Sequence, residues 1–227
     1  MRELLTIALD GPAGAGKSTV ARLLAERLGI LHLDTGSMYR AVGLKALRLG
    51  LPTRQEQPVA AMLEQTSLEV RFVAGQQVVL LDGEDVTQAV RAPDVSLAAS
   101  DVSALPAVRL RLVELQRQIA ARQSIILDGR DIGTYVLPAA RWKIFLTASP
   151  DERARRRLQD LWARGDRTVT LAGVRQDMDY RDRQDSQRSL APLRQAADAI
   201  LVDSTCLTAD QVVDRILQII GQGRAHG

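Results

Sequence analysis

Apolar positions along the chain recur with two periods, and the switch between them sets out the elements. Leu4 to Leu9 is a short apolar run ended by Asp10 and reads as a buried strand, while Ser18 to Leu28 is a helix-forming run with Gly29 as its stop. Ile30 to Leu33 repeats the strand signal up to Asp34, from which a helix runs to about Leu49 with Thr35 or Ser37 as candidate cap. Between 68 and 87 the period becomes two. Leu68-Glu69-Val70-Arg71-Phe72-Val73 alternates apolar and charged residues, and Gln77 to Leu81 forms another strand before the Asp82-Gly83 turn signal. The helical segments on either side make this a small antiparallel lobe inserted into a parallel layout.

Two helices follow, about Val95 to Ala104 and Ala107 to Gln123, and then the short strands Ser124 to Leu127 and Lys143 to Thr147. Ser149-Pro150-Asp151-Glu152 combines an N-cap serine, proline at the first helical position and an acid at the capping-box position. The helix it starts breaks near Gly165-Asp166-Arg167, and a further helix carries Arg181 to Arg188. Ala199 to Val202 is a last strand and Thr208 to Ile220 a last amphipathic helix, ended by Gly221 with a frayed tail from Gln222. Strands alternating with helices predict an α/β fold.

The first strand delivers the densest chemistry. Gly11-Pro12-Ala13-Gly14-Ala15-Gly16-Lys17-Ser18-Thr19 fits G-x-x-x-x-G-K-[ST] with a strand before it and a helix after it, the context in which backbone N–H groups and a helix N-terminus cradle a polyphosphate. Lys17 is placed to reach the terminal phosphates and the Ser18 hydroxyl to ligate Mg2+. Asp128, at the end of the strand Ser124 to Leu127, is the candidate to hold the same ion through its water shell. Arg40, one turn into the helix after Asp34, marks a second phosphate site at a strand's carboxyl end.

Composition narrows the setting. A length of 227 residues with 46% hydrophobic content suits one large domain, with no apolar run of bilayer-spanning length and no signal-peptide pattern, so a soluble cytoplasmic protein is expected. Cys206 is the only cysteine and reads as a small buried apolar residue; with only His32 and His226 beside it, neither a disulfide framework nor a zinc cluster has enough ligands. Net charge is +3, and of the 30 basic residues only Lys17, Lys45 and Lys143 are lysines. The chain has no asparagine, which excludes the Asn-Lys-x-Asp guanine reader of GTPases. The arginines at 153, 155, 156 and 157 read as a solvated face, a nucleic-acid patch or a lid closing over a transferring phosphate. On pattern alone Ser100 and Arg109 are surface residues, and Arg181 with Asp185 is an i, i+4 helix ion pair.

Taken in order, Asp10-Gly-Pro-Ala-Gly-Ala-Gly-Lys-Ser, Asp34-Thr-Gly-Ser-Met-Tyr-Arg, Asp128-Gly-Arg-Asp-Ile-Gly-Thr and Arg181-Asp-x-x-Asp-Ser-x-Arg with Ala191-Pro-Leu resemble the bacterial cytidylate kinases over nearly the whole length. The resemblance implies a five-stranded parallel sheet flanked by helices, with a core of 1–34, 124–150 and 190–222, a nucleoside-monophosphate lobe at about 35–123 and a lid at about 153–170. It implies that Thr35, Arg40, Arg130 and Arg188 hold the acceptor phosphate, that Ser100, Arg109 and Asp131 read the cytosine, and that Arg181 and Asp185 meet the pentose. Arg153 and Arg157 are the lid candidates. The activity it implies is Mg-ATP-dependent phosphorylation of CMP and dCMP by a monomer with small-molecule partners, ATP and the acceptor, and neither nucleic acid nor membrane. Other readings of the P-loop are a kinase of UMP or shikimate, a regulatory nucleotide switch, or a nucleic-acid-binding module resting on Arg153 to Arg167.

Overall fold

The computed structural model describes residues 4–225. Its core is a five-stranded, all-parallel sheet of β1 (Thr6–Asp10), β2 (Leu31–Asp34), β6 (Ile125–Gly129), β7 (Trp142–Thr147) and β8 (Ile200–Asp203), in the order β2-β6-β1-β7-β8. The strand alternation sorts side chains onto two faces. Ala8, Leu33, Ile125 and Leu127 meet α2 (Thr35–Arg48), α4 (Pro93–Ser103) and α5 (Pro106–Ala120). Ile7, Leu9, Ile126, Ile144 and Val202 meet α1 (Lys17–Leu28) and α8 (Ala209–Ala225).

The inserted lobe is a second, antiparallel sheet of β3 (Leu68–Val73), β4 (Gln76–Leu81) and β5 (Glu84–Asp85), as the period-two pattern predicts. Val79 and Leu81 pack it on Ala41 of α2. The remaining pair, α6 (Pro150–Ala163) and α7 (Leu171–Gln187), forms a helical hairpin whose Ala154, Leu158, Val174 and Met178 pack on Ala13 of the P-loop. Ser149 caps α6 by accepting from the Glu152 N–H at 3.3 Å, but the Glu152 side chain turns to Arg155 and Arg156 instead of completing the box.

Several local expectations are corrected. The cap of α2 is neither Thr35 nor Ser37 but Asp34, whose carboxylate accepts from the Ser37 N–H at 3.2 Å. The helix α3 (Glu56–Glu64) has no counterpart in the pattern reading, because Pro58 falls inside it; proline is tolerated there in the first turn, and the helix buries only Val59 and Met62. Cys206 is exposed rather than buried, since it lies in the turn between β8 and α8. Gly221 does not end α8, which continues to Ala225; the last two residues of the expected frayed tail lie outside the described residues. Among the described residues no helix is long and apolar enough to cross a membrane.

Candidate active site

In an open parallel sheet the ligand crevice forms beyond the carboxyl ends of the strands, where connections leave in opposite directions. Here those ends are level: Asp34 of β2 stands beside Asp128 of β6, and Gly129 beside Asp10 of β1. A cleft of about 1320 Å³ opens above them. Its floor is tied down by Asp10, whose two oxygens accept from the N–H groups of Ile132 and Gly133 at 2.7 Å each. Burial pushes the Asp10 carboxyl up to about 6 against the lowering effect of those bonds; with both oxygens on the turn after β6, Asp10 does not line the cleft.

The P-loop wraps between β1 and α1 as the motif predicts. A Cβ on Gly11 would lie 1.9 Å from the Leu146 carbonyl oxygen, so only glycine lets β1 turn this close to β7. A Cβ on Gly14, at φ 72°, would lie 2.7 Å from Met178 Cε and 2.9 Å from the Arg153 carbonyl oxygen of the helical hairpin. Lys17 is buried, and its Nζ donates to the Pro12 carbonyl at 2.8 Å. Burial, and then the neighbouring Arg130, pull its pKa down to about 7. An anion entering the loop would restore its charge.

Ser18 Oγ donates to Asp128 Oδ2 at 2.7 Å, and Asp128 Oδ1 meets His32 Nε2 at 2.6 Å. Burial works against the Asp128 charge, but His32, Ser18 and Lys17 hold its pKa below the usual carboxylate value. Burial likewise opposes charge on His32, and the Asp128 carboxylate outweighs it to raise the imidazole. One hydroxyl and one carboxylate are a fitting hard-oxygen donor pair for a Mg2+ that keeps several waters and takes its other ligands from phosphates. His32 was legible in sequence only as a strand residue; its pairing with Asp128 depends on β2 lying beside β6.

Opposite the P-loop the cleft is lined with guanidinium groups. Arg40 stands at the start of α2, 3.4 Å from Asp34. Arg130 is held by Asp185 at 2.6 Å, so Asp185 pairs across the fold rather than with Arg181 along its own helix. Arg181 instead donates to the Ser96 carbonyl of α4 at 3.0 Å. Burial, then Arg157, Arg40 and Arg130, lower the Arg181 pKa to about 10. Arg157 is lowered by burial and by Arg164 and Arg40. Guanidiniums crowded into one cleft form a site for an anion. Thr35, whose hydroxyl donates to the Asp128 carbonyl at 2.8 Å, joins the two halves.

Deeper in the cleft, Arg109 is fully buried, contrary to the surface position expected from pattern. It ion-pairs with Asp131 Oδ2, donates to the Ser103 carbonyl at 3.3 Å and lies over the Tyr39 ring at 5.7 Å, which leaves its Nε–H with no protein partner. The other Asp131 oxygen accepts from Arg188 at 3.2 Å. Ser100 lines the same end.

The two arginines expected on a lid separate. Arg157 faces the cleft, joined there by Arg164, which sequence reading did not single out. Arg153, one turn earlier, is buried behind the P-loop and does not line the cleft; it donates to the Ala13 carbonyl at 2.9 Å and pairs with Asp182 at 2.6 Å, while Asp182 accepts from the Ala13 N–H. It braces the loop because the first turn of α6 is where the hairpin packs on Ala13.

A P-loop with its lysine, a serine–aspartate pair and a facing bank of arginines define the class: a P-loop phosphotransferase. The family model described as cytidylate kinase matches residues 7–222. A cytidylate kinase of Desulfitobacterium hafniense is 53% identical over 219 residues, covering 96% of this chain and 94% of its own. One of Caldicellulosiruptor saccharolyticus is 49% identical over 215 residues, covering 95% of each chain. Among solved structures, an uncharacterized protein of Eubacterium ventriosum shares the fold, with a TM-score of 0.52 at 13% identity over 97% of this chain and 99% of that one. The chain belongs to the cytidylate kinase family and is a nucleoside monophosphate kinase.

Proposed function

We propose that the protein transfers the γ-phosphoryl group of Mg-ATP to CMP and dCMP, giving ADP and the corresponding diphosphates, as a cytoplasmic monomer acting on small molecules. The observation that carries this reading is the cleft itself, in which Lys17 and the Ser18–Asp128 pair face Arg40, Arg130, Arg157 and Arg181. Two anions bound there would meet end to end. Phosphoryl transfer between phosphates requires positioning and charge neutralisation rather than a side-chain nucleophile, and the acceptor, being ionised already, requires no strong base. The P-loop would hold the donor phosphates, with Ser18 and Asp128 holding Mg2+, which supplies neutralisation of charge on the phosphate oxygens. Thr35, Arg40 and Arg130 would hold the acceptor phosphate, and Arg181 and Asp185 the pentose. Residues 35–123 would then form the acceptor lobe, 153–170 the lid, and 1–34, 124–150 and 190–222 the core.

In this reading the base is recognised by Arg109, Ser100 and Asp131. The free Arg109 Nε–H is a donor suited to the N3 or O2 acceptors of cytosine, whereas uracil presents N3–H. A buried donor left facing a donor costs roughly 1–3 kcal/mol, and a second mismatch at the exocyclic position brings the expected CMP:UMP ratio in kcat/KM to at least about a hundredfold. A panel of CMP, dCMP, UMP, AMP and shikimate with coupled ADP detection tests both the activity and this ratio. Turnover with none of the nucleotides would overturn the reading.

The lid assignment carries its own expectation. Because Arg157 is crowded by the charge of Arg164, the 153–170 segment should gain hydrogen-exchange protection when a bisubstrate analogue supplies phosphate between them. Equal protection with and without the analogue would remove the lid role.

A further inference from the structure

We propose that Gln77, carried by the inserted antiparallel sheet, is a positioning residue for the acceptor-phosphate pocket, pinning the turn from β2 into α2 that presents Thr35 and Arg40. The strand β2 is an edge of the parallel sheet, so the outward N–H and C=O at its carboxyl end lack a neighbouring strand. At Asp34 the Gln77 side chain takes that place. Its Oε1 accepts from the Asp34 N–H at 2.7 Å, and its Nε2 donates to the Asp34 carbonyl at 3.2 Å and to Ser37 Oγ at 2.7 Å. A primary amide can do this because it offers an acceptor and two donors on one plane.

Asp34 is the node of the pocket. Its backbone is held by Gln77, its carboxylate caps α2 through the Ser37 N–H, and its other oxygen lies 3.4 Å from Arg40. Ser37 Oγ donates back to the Asp34 carbonyl at 2.7 Å. Gln77 is itself well held: it pairs with Phe72, one position inside the Ala74-Gly75 hairpin tip, on a sheet packed against α2. The inserted lobe therefore reaches back to the core sheet and fixes the register of the first turn of α2, and Gln77 lines the cleft where it does so.

This inference rests on the reading that the α2 turn receives the acceptor phosphate. The test compares the full-length wild type with Gln77→Leu and with the isosteric Gln77→Glu, which sets a carboxylate oxygen against the Asp34 carbonyl. Amide hydrogen exchange at 34–37 is measured without ligand, CMP affinity by calorimetry, and both KM values by steady-state kinetics. In both variants the Asp34 amide should exchange faster and CMP binding should weaken by about tenfold, the scale of losing two or three hydrogen bonds that hold a turn. The KM for ATP and kcat should stay within about twofold of wild type, since the donor site is untouched. Unchanged exchange, unchanged CMP affinity, or an ATP KM rising in step with that for CMP would each overturn the proposal. If wild type binds no CMP, the failure belongs to the functional reading; inorganic phosphate affinity together with exchange at 34–37 then decides the role of Gln77 by the same criteria.

Discussion

Replacing Lys17 by methionine is expected to lower turnover by at least about a hundredfold, because in the proposed reaction it removes the P-loop cation that neutralises the transferring phosphoryl group. The same substitution should stabilise the ligand-free protein. Lys17 is buried beside Arg130, and its pKa falls from 10.5 to about 7. The folded state therefore binds fewer protons than the unfolded chain between those values, so this group makes stability rise with pH through that window, and below about pH 7 its full burial cost is present. Methionine has no charge to bury. Thermal unfolding of ligand-free Lys17→Met at neutral pH should show a higher midpoint than wild type and a flatter rise toward pH 10. Turnover within a few-fold of wild type would remove Lys17 from the transfer step, and an unchanged midpoint would show that the loop does not strain it.

The second large effect is expected at Asp131. Its two oxygens are occupied by Arg109 and Arg188, all three side chains being almost fully buried. Removing the carboxylate leaves the buried Arg109 without its counter-charge and Arg188 with only its 3.5 Å pair to Asp185, and breaking a buried pair from one side costs about 3–5 kcal/mol. Asp131→Ala should therefore lose both stability and acceptor turnover, by about a hundredfold or more in kcat/KM. The loss should fall more heavily on CMP than on UMP, because each Asp131 oxygen accepts only one guanidinium bond and keeps a lone pair that can accept from the cytosine amino group. Asp131→Asn, which keeps the shape and one acceptor, should fold and show an intermediate loss. Steady-state kinetics on both acceptors decide the matter: an equal proportional fall on CMP and UMP would leave Asp131 no part in reading the base and only a role in positioning Arg109 and Arg188.

What the chain's order of residues settles by itself is local. The spacing of Gly11, Gly16, Lys17 and Ser18 defines a phosphate loop wherever a strand precedes it and a helix follows, and both are legible from apolar runs a few residues long. The alternation from Leu68 to Val73 likewise forces a two-sided strand, and the Asp82-Gly83 pair turns the next strand, β4, back into β5. The placing of Asp128 at a strand end follows from the same run that buries Ile125 to Leu127.

The tertiary structure decided which partners those residues find. Arg181 and Asp185 share a helix face, yet Asp185 pairs with Arg130 and Arg181 turns to α4, because the strand-end turn after β6 sets the Arg130 guanidinium beside the carboxylate and α4 sets the Ser96 carbonyl beside Arg181. Arg153 and Arg157 are one turn apart in the same basic run, but packing of α6 on Ala13 buries the first behind the P-loop and leaves the second facing the cleft. Arg109 becomes the largest fully buried side chain only because Asp131 and Tyr39 arrive from other elements to accommodate its charge. Gln77 and His32 carry no sequence signal at all, since an amide or an imidazole on a strand acquires meaning only from the backbone or carboxylate that chain topology sets beside it.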